Sequence, residues 1–347
     1  MTNPAFSKVS IASTFNVKVD PSKTMVMFND TASPYIPPAT AEYVFRATAI
    51  TELLSFLRNP MGDALFITGP TGSGKTSLVL ETAGRLNWPT QSLTCSGRME
   101  AADLIGMYVL RAPKPGDEPV TAWQYGPLPM AMKLGHILLL NEVDMMAPEE
   151  LSAFNDVLEG RPLVIGANGG EVIKPHPMFR VIVTGNSAGG GDESQAYQGV
   201  MKQSIAAMDR YRFMNVGYAP EHVEKDILAS AGTKVPENLR ERMVTYANEV
   251  RGLFEAGQLS ITFSTRTLLR WCRLASRFRG SVDPSNKANS VGYALEMAFL
   301  RRVGDKPEQR EALLRLARDV FGQDNWVDGE VAEPGEMQQA TPTAQAA

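Results

Sequence analysis

A glycine-rich stretch, residues 69–76 with the sequence GPTGSGKT, constrains the fold of this chain more than any other feature. It follows the short apolar run Ala64–Thr68, which has the length of a buried strand, and precedes a helical pattern that begins near Lys75. Glycines in such a loop let the backbone bend so that successive N–H groups point at phosphate oxygens, and the helix N-terminus adds a partial positive charge. The strand, loop and helix together predict a phosphate-binding loop (P-loop) rather than a chance glycine turn.

The ligands predicted for this loop are ATP and Mg²⁺. Lys75 is expected to reach the terminal phosphates, and the Thr76 hydroxyl is expected to ligate Mg²⁺. The residues predicted to bind the nucleotide are Gly69, Pro70, Thr71, Gly72, Ser73, Gly74, Lys75, Thr76, Ser77 and, beyond the loop, Asn141.

Short apolar runs like the one before the P-loop recur along the chain, separated by helical patterns or turn-rich segments. They lie at residues 91–94, 137–140, 181–184 and 213–217. Strands that alternate with helices favour a mainly parallel sheet covered on both faces, which is an α/β fold. Two further pairs of β-rich segments flank the turn formers at 113–117 and 168–170, and predict two β-hairpins inserted into the α/β frame.

The sequence pattern divides the chain into four parts. Residues 1–40 are rich in Ser, Thr, Asn and Pro and predict an extended arm. Residues 41–220, which open with a helical pattern at 41–57, predict the α/β nucleotide-binding domain. Residues 221–322 are almost wholly helical in pattern and predict an all-helical second domain. Residues 323–347 are acidic and then rich in Gln, Ala, Thr and Pro, and predict a disordered tail.

Charge and apolar pattern argue against several classes of protein. The chain has 34 Lys+Arg and 38 Asp+Glu, and five of the acids lie after residue 323, where there is no Lys or Arg. The preceding body is therefore close to neutral, which counts against a broad surface for duplex DNA. No run reaches the roughly 18–20 apolar residues of a membrane span, and the polar start lacks the apolar core of a signal peptide. We therefore expect a cytoplasmic protein.

Two polar residues follow the apolar run 137–140 and supply the candidate catalytic group. Glu142 is expected at the carboxyl edge of the sheet, where a ligand would lie, and is the predicted base that polarises the attacking water. Asn141 stands where an Asp is usual, so the predicted magnesium site lacks one negative charge. The loss of a group that supports a bound metal typically lowers metal affinity or activity about 10- to 100-fold, so slow or conditional ATP hydrolysis is expected.

Three further residues are candidates for the same chemistry. Asn186 follows the run 181–184 and is predicted to hold the water between Glu142 and the γ-phosphate, although an Asn after a strand is by itself a turn residue. Arg210, just before the last predicted strand, and Arg266, at a predicted helix start, are candidates for neutralising phosphate charge in the way of an arginine finger.

A set of short motifs in a fixed order resembles one known family over roughly residues 35–322. The motifs are RLNWP (85–89), DLIG (103–106), GPLP (126–129), LE (158–159), HPMFR (176–180), GGGD (189–192) with YQG (197–199), and MDR (208–210). Together with the P-loop they resemble the AAA+ ATPases of the MoxR group. Within that group they are most similar to the small AAA+ (CobS-type) subunit of aerobic cobaltochelatase, with CbbQ-type rubisco activases as relatives.

The resemblance implies a hexameric ring with ATP between subunits. It implies that residues 69–76 are Walker A, Asn141 and Glu142 are Walker B, and Asn186 is sensor 1. Arg210 matches the finger presented to the neighbouring subunit's ATP, and Arg266 matches sensor 2 in the helical lid. The first hairpin corresponds to the helix-2 insert and the second to the pre-sensor-1 hairpin. A von Willebrand A domain partner and a client that is remodelled or loaded with the energy of ATP are also implied.

Three classes of function remain open on the sequence alone. The leading one is an ATP-driven remodelling motor that acts with a protein partner. The second is a nucleic-acid motor, suggested by Arg266, Arg270, Arg273 and Arg277, whose spacing places them on one helix face; a solvated or intersubunit face is the plainer interpretation. The third is a nucleotide switch with weak hydrolysis, suggested by Asn141 and opposed by the presence of Glu142, Asn186 and Arg210.

Overall fold

The computed structural model of the chain describes residues 6–112, 118–187, 189–190, 200–278, 290–304 and 306–322. It divides into two compact units between Ala219 and Pro220. The first unit contains, in chain order, β1 (Phe6–Ser10), α1 (Ile11–Phe15), β2 (Thr24–Phe28), α2 (Ala47–Arg58), β3 (Ala64–Thr68), α3 (Lys75–Arg85), β4 (Thr90–Thr94), α4 (Ala101–Ile105), β5 (Gly106–Arg111), β6 (Val120–Tyr125), α5 (Pro127–Leu134), β7 (Ile137–Asn141), α6 (Pro148–Ser152), α7 (Asn155–Leu158), β8 (Leu163–Ile165), β9 (Glu171–Ile173), β10 (Arg180–Gly185), α8 (Ile205–Met208) and β11 (Tyr211–Asn215).

Five of these strands form one sheet in the order β11-β3-β10-β7-β4, and every pair in it is parallel. Successive residues of β3 belong to opposite cores: Leu65 and Ile67 pack with α2 and α3, whereas Ala64 and Phe66 pack on the other side of the sheet. Burial on both faces is what makes these strands continuous apolar runs rather than alternating ones. The predicted parallel α/β sheet is confirmed.

Two antiparallel hairpins leave this frame, as predicted. The first pairs β5 with β6, and the second pairs β8 with β9. The turn residues 113–117 of the first hairpin lie outside the described residues. The Tyr108 hydroxyl of β5 donates to the Ala167 carbonyl at 2.9 Å, so the two hairpins contact each other.

Residues 6–28 differ from the extended arm predicted for residues 1–40. They form the antiparallel pair β1–β2 with α1 between the strands. Apolar side chains spaced through a polar segment, Ile11, Phe15, Met25 and Phe28, are buried in the same core as α2. The average composition of the segment does not indicate this burial. The free energy of burial depends on the apolar area that individual side chains remove from water, and a few large side chains are enough. Helix α2 also begins later than the pattern at 41–57 suggests, at Ala47.

The second unit is all-helical over the residues that the structure describes, as predicted. It contains α9 (Glu221–Ser230), α10 (Glu237–Glu255), α11 (Thr265–Arg277), α12 (Ser290–Ala298), a 3₁₀ helix at Leu300–Val303 and α13 (Pro307–Phe321). Its core is aromatic, with Trp271 in edge contact with Tyr246 and Phe263. The predicted tail, residues 323–347, lies outside the described residues. No helix among the described residues is both long and apolar enough to cross a membrane.

Candidate nucleotide site

The P-loop joins β3 to α3, and its glycines hold backbone conformations that other residues avoid. Gly69 has φ +145°, and a Cβ there would lie 2.2 Å from the Val216 carbonyl oxygen. Gly74 has φ +95° and caps the N-terminus of α3. Because L side chains are disfavoured at both conformations, the glycine spacing read from the sequence is a steric requirement of the loop.

The loop fits a bound phosphate. Among the described residues, the N–H groups of Gly72, Gly74 and Thr76 donate to no protein acceptor. The Ser73 hydroxyl is buried and also has no protein partner. Donors left unmatched at a helix N-terminus are the groups that anions satisfy, so the cradle suits the phosphates of a nucleotide. Ser77 is exposed on the first turn of α3.

Lys75 connects the P-loop to the end of β10. Its Nζ donates to the carbonyl oxygens of Gly69 at 2.6 Å and Pro70 at 3.1 Å, and to Asn186 Oδ1 at 3.0 Å. The Thr71 hydroxyl reaches the same Asn186 oxygen at 3.4 Å. Since β10 lies next to β3 in the sheet, Asn186 emerges beside the P-loop, and the structure brings these predicted residues together.

Asn141 ends β7 and contacts the predicted magnesium ligand directly. Its Oδ1 accepts from the Thr76 hydroxyl at 2.6 Å, and its Nδ2 donates to Ser92 Oγ and to the Leu93 carbonyl oxygen, both at 3.1 Å. A carbonyl oxygen only accepts hydrogen bonds, so the side chain facing Leu93 must be a donor. An amide meets this requirement and an ionised carboxylate does not, which gives a local reason for Asn where Asp is usual.

Glu142 turns the chain sharply at the carboxyl edge of the sheet. Its backbone is left-handed, with φ 56° and ψ 44°, a conformation that is uncommon for residues other than glycine and is concentrated at functional sites. Its N–H donates to Thr184 Oγ1 at 3.2 Å, and its side chain is exposed. The predicted base is therefore held by its backbone while its carboxylate remains accessible.

Asp144 is a site residue that sequence reasoning missed. Its side chain is completely buried, and its Oδ2 accepts from the N–H groups of Asn186 at 2.7 Å and Ser187 at 3.2 Å, whereas Oδ1 has no protein partner. The carboxylate thus fixes the backbone that presents Asn186 to Lys75. Burial, followed by the charges of Asp144 and Glu142, raises the pKa of the nearby Cys95 thiol to about 12. The sequence shows an acid two residues after Glu142, but its burial and its contacts leave no pattern there.

Arg210 is held within its own subunit by an acid. Its Nε donates to Glu159 Oε1 at 2.7 Å, and its Nη1 donates to the Ala206 carbonyl oxygen. Glu159 also pairs with Arg161, which in turn pairs with Asp156 at 3.0 Å. Among the described residues, no contact joins Arg210 to the P-loop of its own chain. The motif containing Glu159 was visible in the sequence, but its contact with Arg210 was not.

Arg266 lies in the second unit, at the start of α11, after Ser264, whose hydroxyl accepts from the Thr267 N–H at 3.1 Å. Its side chain is exposed, as are those of Arg270, Arg273 and Arg277. The four form the basic face of α11, as their spacing predicts. A role for Arg266 in the nucleotide site stays a prediction.

Arg46 also supports the P-loop and was not predicted. It precedes α2 and donates from Nη1 to the Gly217 carbonyl oxygen at 2.7 Å and from Nη2 to the Ser73 carbonyl oxygen at 3.2 Å. Tyr218 donates to the Thr71 carbonyl oxygen at 3.1 Å. The segment after β11 is thereby tied to the middle of the loop, at Thr71 and Ser73.

Comparison with known proteins agrees with this geometry. Residues 64–199 match the family model described as AAA domain (dynein-related subfamily), and residues 224–320 match the model described as CbbQ/NirQ/NorQ C-terminal. The aerobic cobaltochelatase subunit CobS of Sinorhizobium sp is 28% identical over 309 residues, which cover 87% of this chain and 87% of that protein. The two domain matches and the similarity to CobS together support a MoxR-type AAA+ protein.

Other similar proteins are more distant or carry no described activity. An uncharacterized protein of Staphylococcus haemolyticus is 29% identical over 244 residues, covering 70% of this chain and 84% of its own. Among solved structures, the Thermotoga maritima RuvB Holliday junction branch migration motor aligns with a TM-score of 0.46 and 15% identity, over 83% of this chain and 80% of its own. The five-stranded parallel sheet, the helices and the C-terminal helical unit of this chain form an AAA+ fold.

Proposed function

We propose that this MoxR-type protein binds and hydrolyses ATP and uses the energy to remodel or load a protein client. One observation carries the proposal: the ends of β7 and β10 meet the P-loop that follows β3 at one edge of the sheet, where Lys75 contacts Asn186 and Thr76 contacts Asn141. Glu142 follows Asn141 directly, so a base adjoins a phosphate cradle.

In this proposal each residue has a separate task. The P-loop N–H groups and Lys75 bind the phosphates, and Thr76 with Asn141 holds Mg²⁺, which when bound supplies positive charge for the phosphate oxygens. Glu142 accepts the proton of the attacking water, and Asn186 orients that water. Because Asn141 brings no negative charge, we expect slower turnover than with an Asp, or turnover that depends on a partner.

The finger arginine is proposed to act on a neighbouring subunit. Arg210 pairs with Glu159 and not with the P-loop of its own chain, which supports a role across a subunit boundary. The homo-oligomer is proposed to be a hexamer. Arg266 is proposed as sensor 2 for the same nucleotide. Positive charge from both would stabilise the transferring phosphoryl group.

The two hairpins are proposed to contact the client or a von Willebrand A domain partner. They expose large apolar side chains to solvent, namely Met107, Tyr108, Leu110, Val120, Val164 and Val172. Exposed apolar residues in a cluster are a mark of interaction surfaces. A cytoplasmic location is part of the proposal, as the compartment in which ATP and Mg²⁺ would be supplied.

The test is the ATP turnover of the assembled protein with Glu142 replaced by Gln. Removing the base should lower the turnover number about 100-fold or more while ATP still binds, because general base catalysis typically contributes that much. Glu149→Gln is the matched control, since Glu149 is exposed in the following helix and contacts none of the site residues. Unchanged turnover in Glu142→Gln would reject Glu142 as the base. ATP binding without turnover in the unaltered protein, even with its partner, would favour the switch.

A further inference from the structure

A second recess lies in the first unit, away from the P-loop. It is a cleft of about 700 Å³ between β1, β2, α2 and the beginning of β10. Arg180 is the first residue of β10, whereas Asn186 of the nucleotide site follows its last residue. At about 3.3 Å per residue, the length of the strand places the two some 20 Å apart. The cleft is therefore a separate site at the opposite edge of the sheet.

The charges around the cleft are all of one sign. Its lining includes Lys8, Lys23, Arg58 and Arg180, and no Asp or Glu. The chain as a whole has more acids than bases, so a recess lined by bases alone is not a reflection of overall composition. A concave surface with one sign of charge attracts ligands of the opposite sign.

Arg180 is the strongest indication that a ligand is expected. Its side chain is buried, with 6% exposure, and it forms no ion pair with any described residue. Nε donates to the Leu57 carbonyl oxygen at 2.9 Å and Nη1 to the carbonyl oxygens of Pro177 and Phe179, while Nη2 donates to no described protein acceptor. Burial lowers the pKa of this guanidinium to about 10, so it stays charged at neutral pH. The guanidinium carbon also lies 5.7 Å from the centre of the Trp88 ring, but neither this ring nor the carbonyl oxygens carry a full negative charge. An anion in the cleft would add the counter-charge that the buried cation lacks among the described residues.

Apolar side chains form a further part of the cleft wall, beside the polar Thr24, Thr51, Ser55 and Asn59. Ile11 and Met25 of the N-terminal strands and helix, Leu54 and Leu57 of α2, and Met178 before β10 contribute to it. A volume of about 700 Å³ lies within the ~300–1,000 Å³ typical of small-molecule pockets, which combine apolar walls with a few polar anchors. Apolar side chains next to a guanidinium without a counter-charge suit a molecule with a hydrocarbon body and an anionic head.

We propose that this cleft binds an organic anion of that kind, a carboxylate or phosphate carried on a hydrocarbon chain, with its head on Arg180, Lys8 and Arg58. The shared chemistry is a compact oxyanion, which a guanidinium holds through paired hydrogen bonds. Anion binding in the cleft does not require ATP hydrolysis, so it can be tested separately from the proposed motor function.

The test is isothermal titration calorimetry of the full chain with decanoate and, separately, decyl phosphate. We expect saturable binding at one site per chain for at least one of them, and the tighter of the two identifies the head group. Decanol and inorganic phosphate should each bind about tenfold more weakly or worse, because each lacks one half of the interaction. Lys75→Ala should leave the affinity for decyl phosphate unchanged, which separates the cleft from the P-loop.

Variants locate the binding. Arg180→Met should weaken the tighter ligand about tenfold or more, as expected for a lost charge-assisted hydrogen bond. Because Arg180 is buried and its variant can fail to fold, the double variant Lys8→Gln, Arg58→Gln at the exposed rim gives an independent reading, with an expected loss of about fivefold. Lys18→Gln is the matched control, since Lys18 is an exposed base in the same N-terminal segment outside the cleft lining.

Several outcomes would overturn the assignment. Binding of neither anion, equal affinity for decanol, or an unchanged affinity in the rim variant would each do so. Inorganic phosphate binding as tightly as decyl phosphate would reject the apolar half of the site. An acidic, apolar peptide that binds where both small anions fail would make the cleft a protein-docking site instead.

Discussion

The carboxyl edge of the sheet and the basic face of α11 hold polar residues in opposite ways. At this edge Lys75 contacts Asn186 and Thr76 contacts Asn141, and at the opposite edge, before β11, Arg210 contacts Glu159. On α11 the four arginines are exposed and form no ion pair with any described residue. The first arrangement is preorganised within one chain, whereas the arginines of α11 have no such partner among the described residues. Substitutions should therefore have large effects at the sheet edge and small ones on α11.

The largest effect is expected from Arg210→Ala. Arginine fingers contribute about 10³-fold or more to phosphoryl transfer, so the turnover number of the assembled protein should fall by that order. Mixing Arg210→Ala subunits with Glu142→Gln subunits should restore part of the activity, because each supplies what its neighbour lacks. Arg161→Ala, which removes the other arginine that pairs with Glu159, is the control and should keep most of the turnover. Mixed assemblies that stay inactive would contradict action across the subunit boundary.

Asp144→Ala should have the next largest effect. It leaves the N–H groups of Asn186 and Ser187 without their buried acceptor, which should lower the free energy of unfolding by about 2–4 kcal/mol and turnover by about tenfold or more. Asp144→Asn retains an acceptor and should lose less on both measures. Denaturant unfolding and ATP turnover check the two expectations, with the exposed Asp226→Ala as control. Equal behaviour of Asp144→Ala and the control would remove Asp144 from the site.

Asn141→Asp should separate metal binding from stability. The carboxylate cannot donate to the Leu93 carbonyl oxygen, so the free energy of unfolding should fall by about 1–2 kcal/mol. The added negative charge should lower the Mg²⁺ concentration needed for half-maximal turnover by about tenfold. A Mg²⁺ titration of turnover measures this, with Asn238→Asp on the exposed surface of α10 as control. A variant more stable than the parent would show that the Leu93 contact does not select the amide.

The smallest effect is expected on α11. Replacing Arg270, Arg273 and Arg277 together by Gln should change the free energy of unfolding by less than about 0.5 kcal/mol per site, because the side chains are exposed. Basal turnover should stay within about twofold. DNA-stimulated turnover that falls with added salt and is lost in this variant would instead favour the nucleic-acid motor.

Most of the fold could be predicted because its strands are buried on both faces and read as apolar runs. Strand β3 matched its predicted bounds, and β7 and β10 differed only at their ends. The N-terminal segment could not be predicted by composition, since Phe15 and Phe28 are single apolar residues in a polar stretch and their burial depends on α2.

The site was predictable where a residue type must follow a strand. Glu142 and Asn186 were predicted to follow strands, and they directly follow β7 and β10, while their roles stay predictions. Asp144 and Arg46 were missed because their roles come from contacts with distant backbone groups, and such contacts leave no spacing pattern in the sequence. The contact of Glu159 with Arg210 could not be predicted from the sequence for the same reason.

The length of strand β10 is fixed by its neighbours in the sheet. It is paired in parallel with β3 on one side and β7 on the other, so a shift of its register would break the hydrogen bonds to both neighbours. One inserted residue would exchange the two faces of everything beyond it, moving Val181 and Val183 out of their core or displacing Asn186 from Lys75. By contrast, the short turn at Gly169 and Gly170 between β8 and β9 has open space around it. Insertions in this protein are therefore expected to accumulate in the hairpin turns, while β10 keeps its six residues.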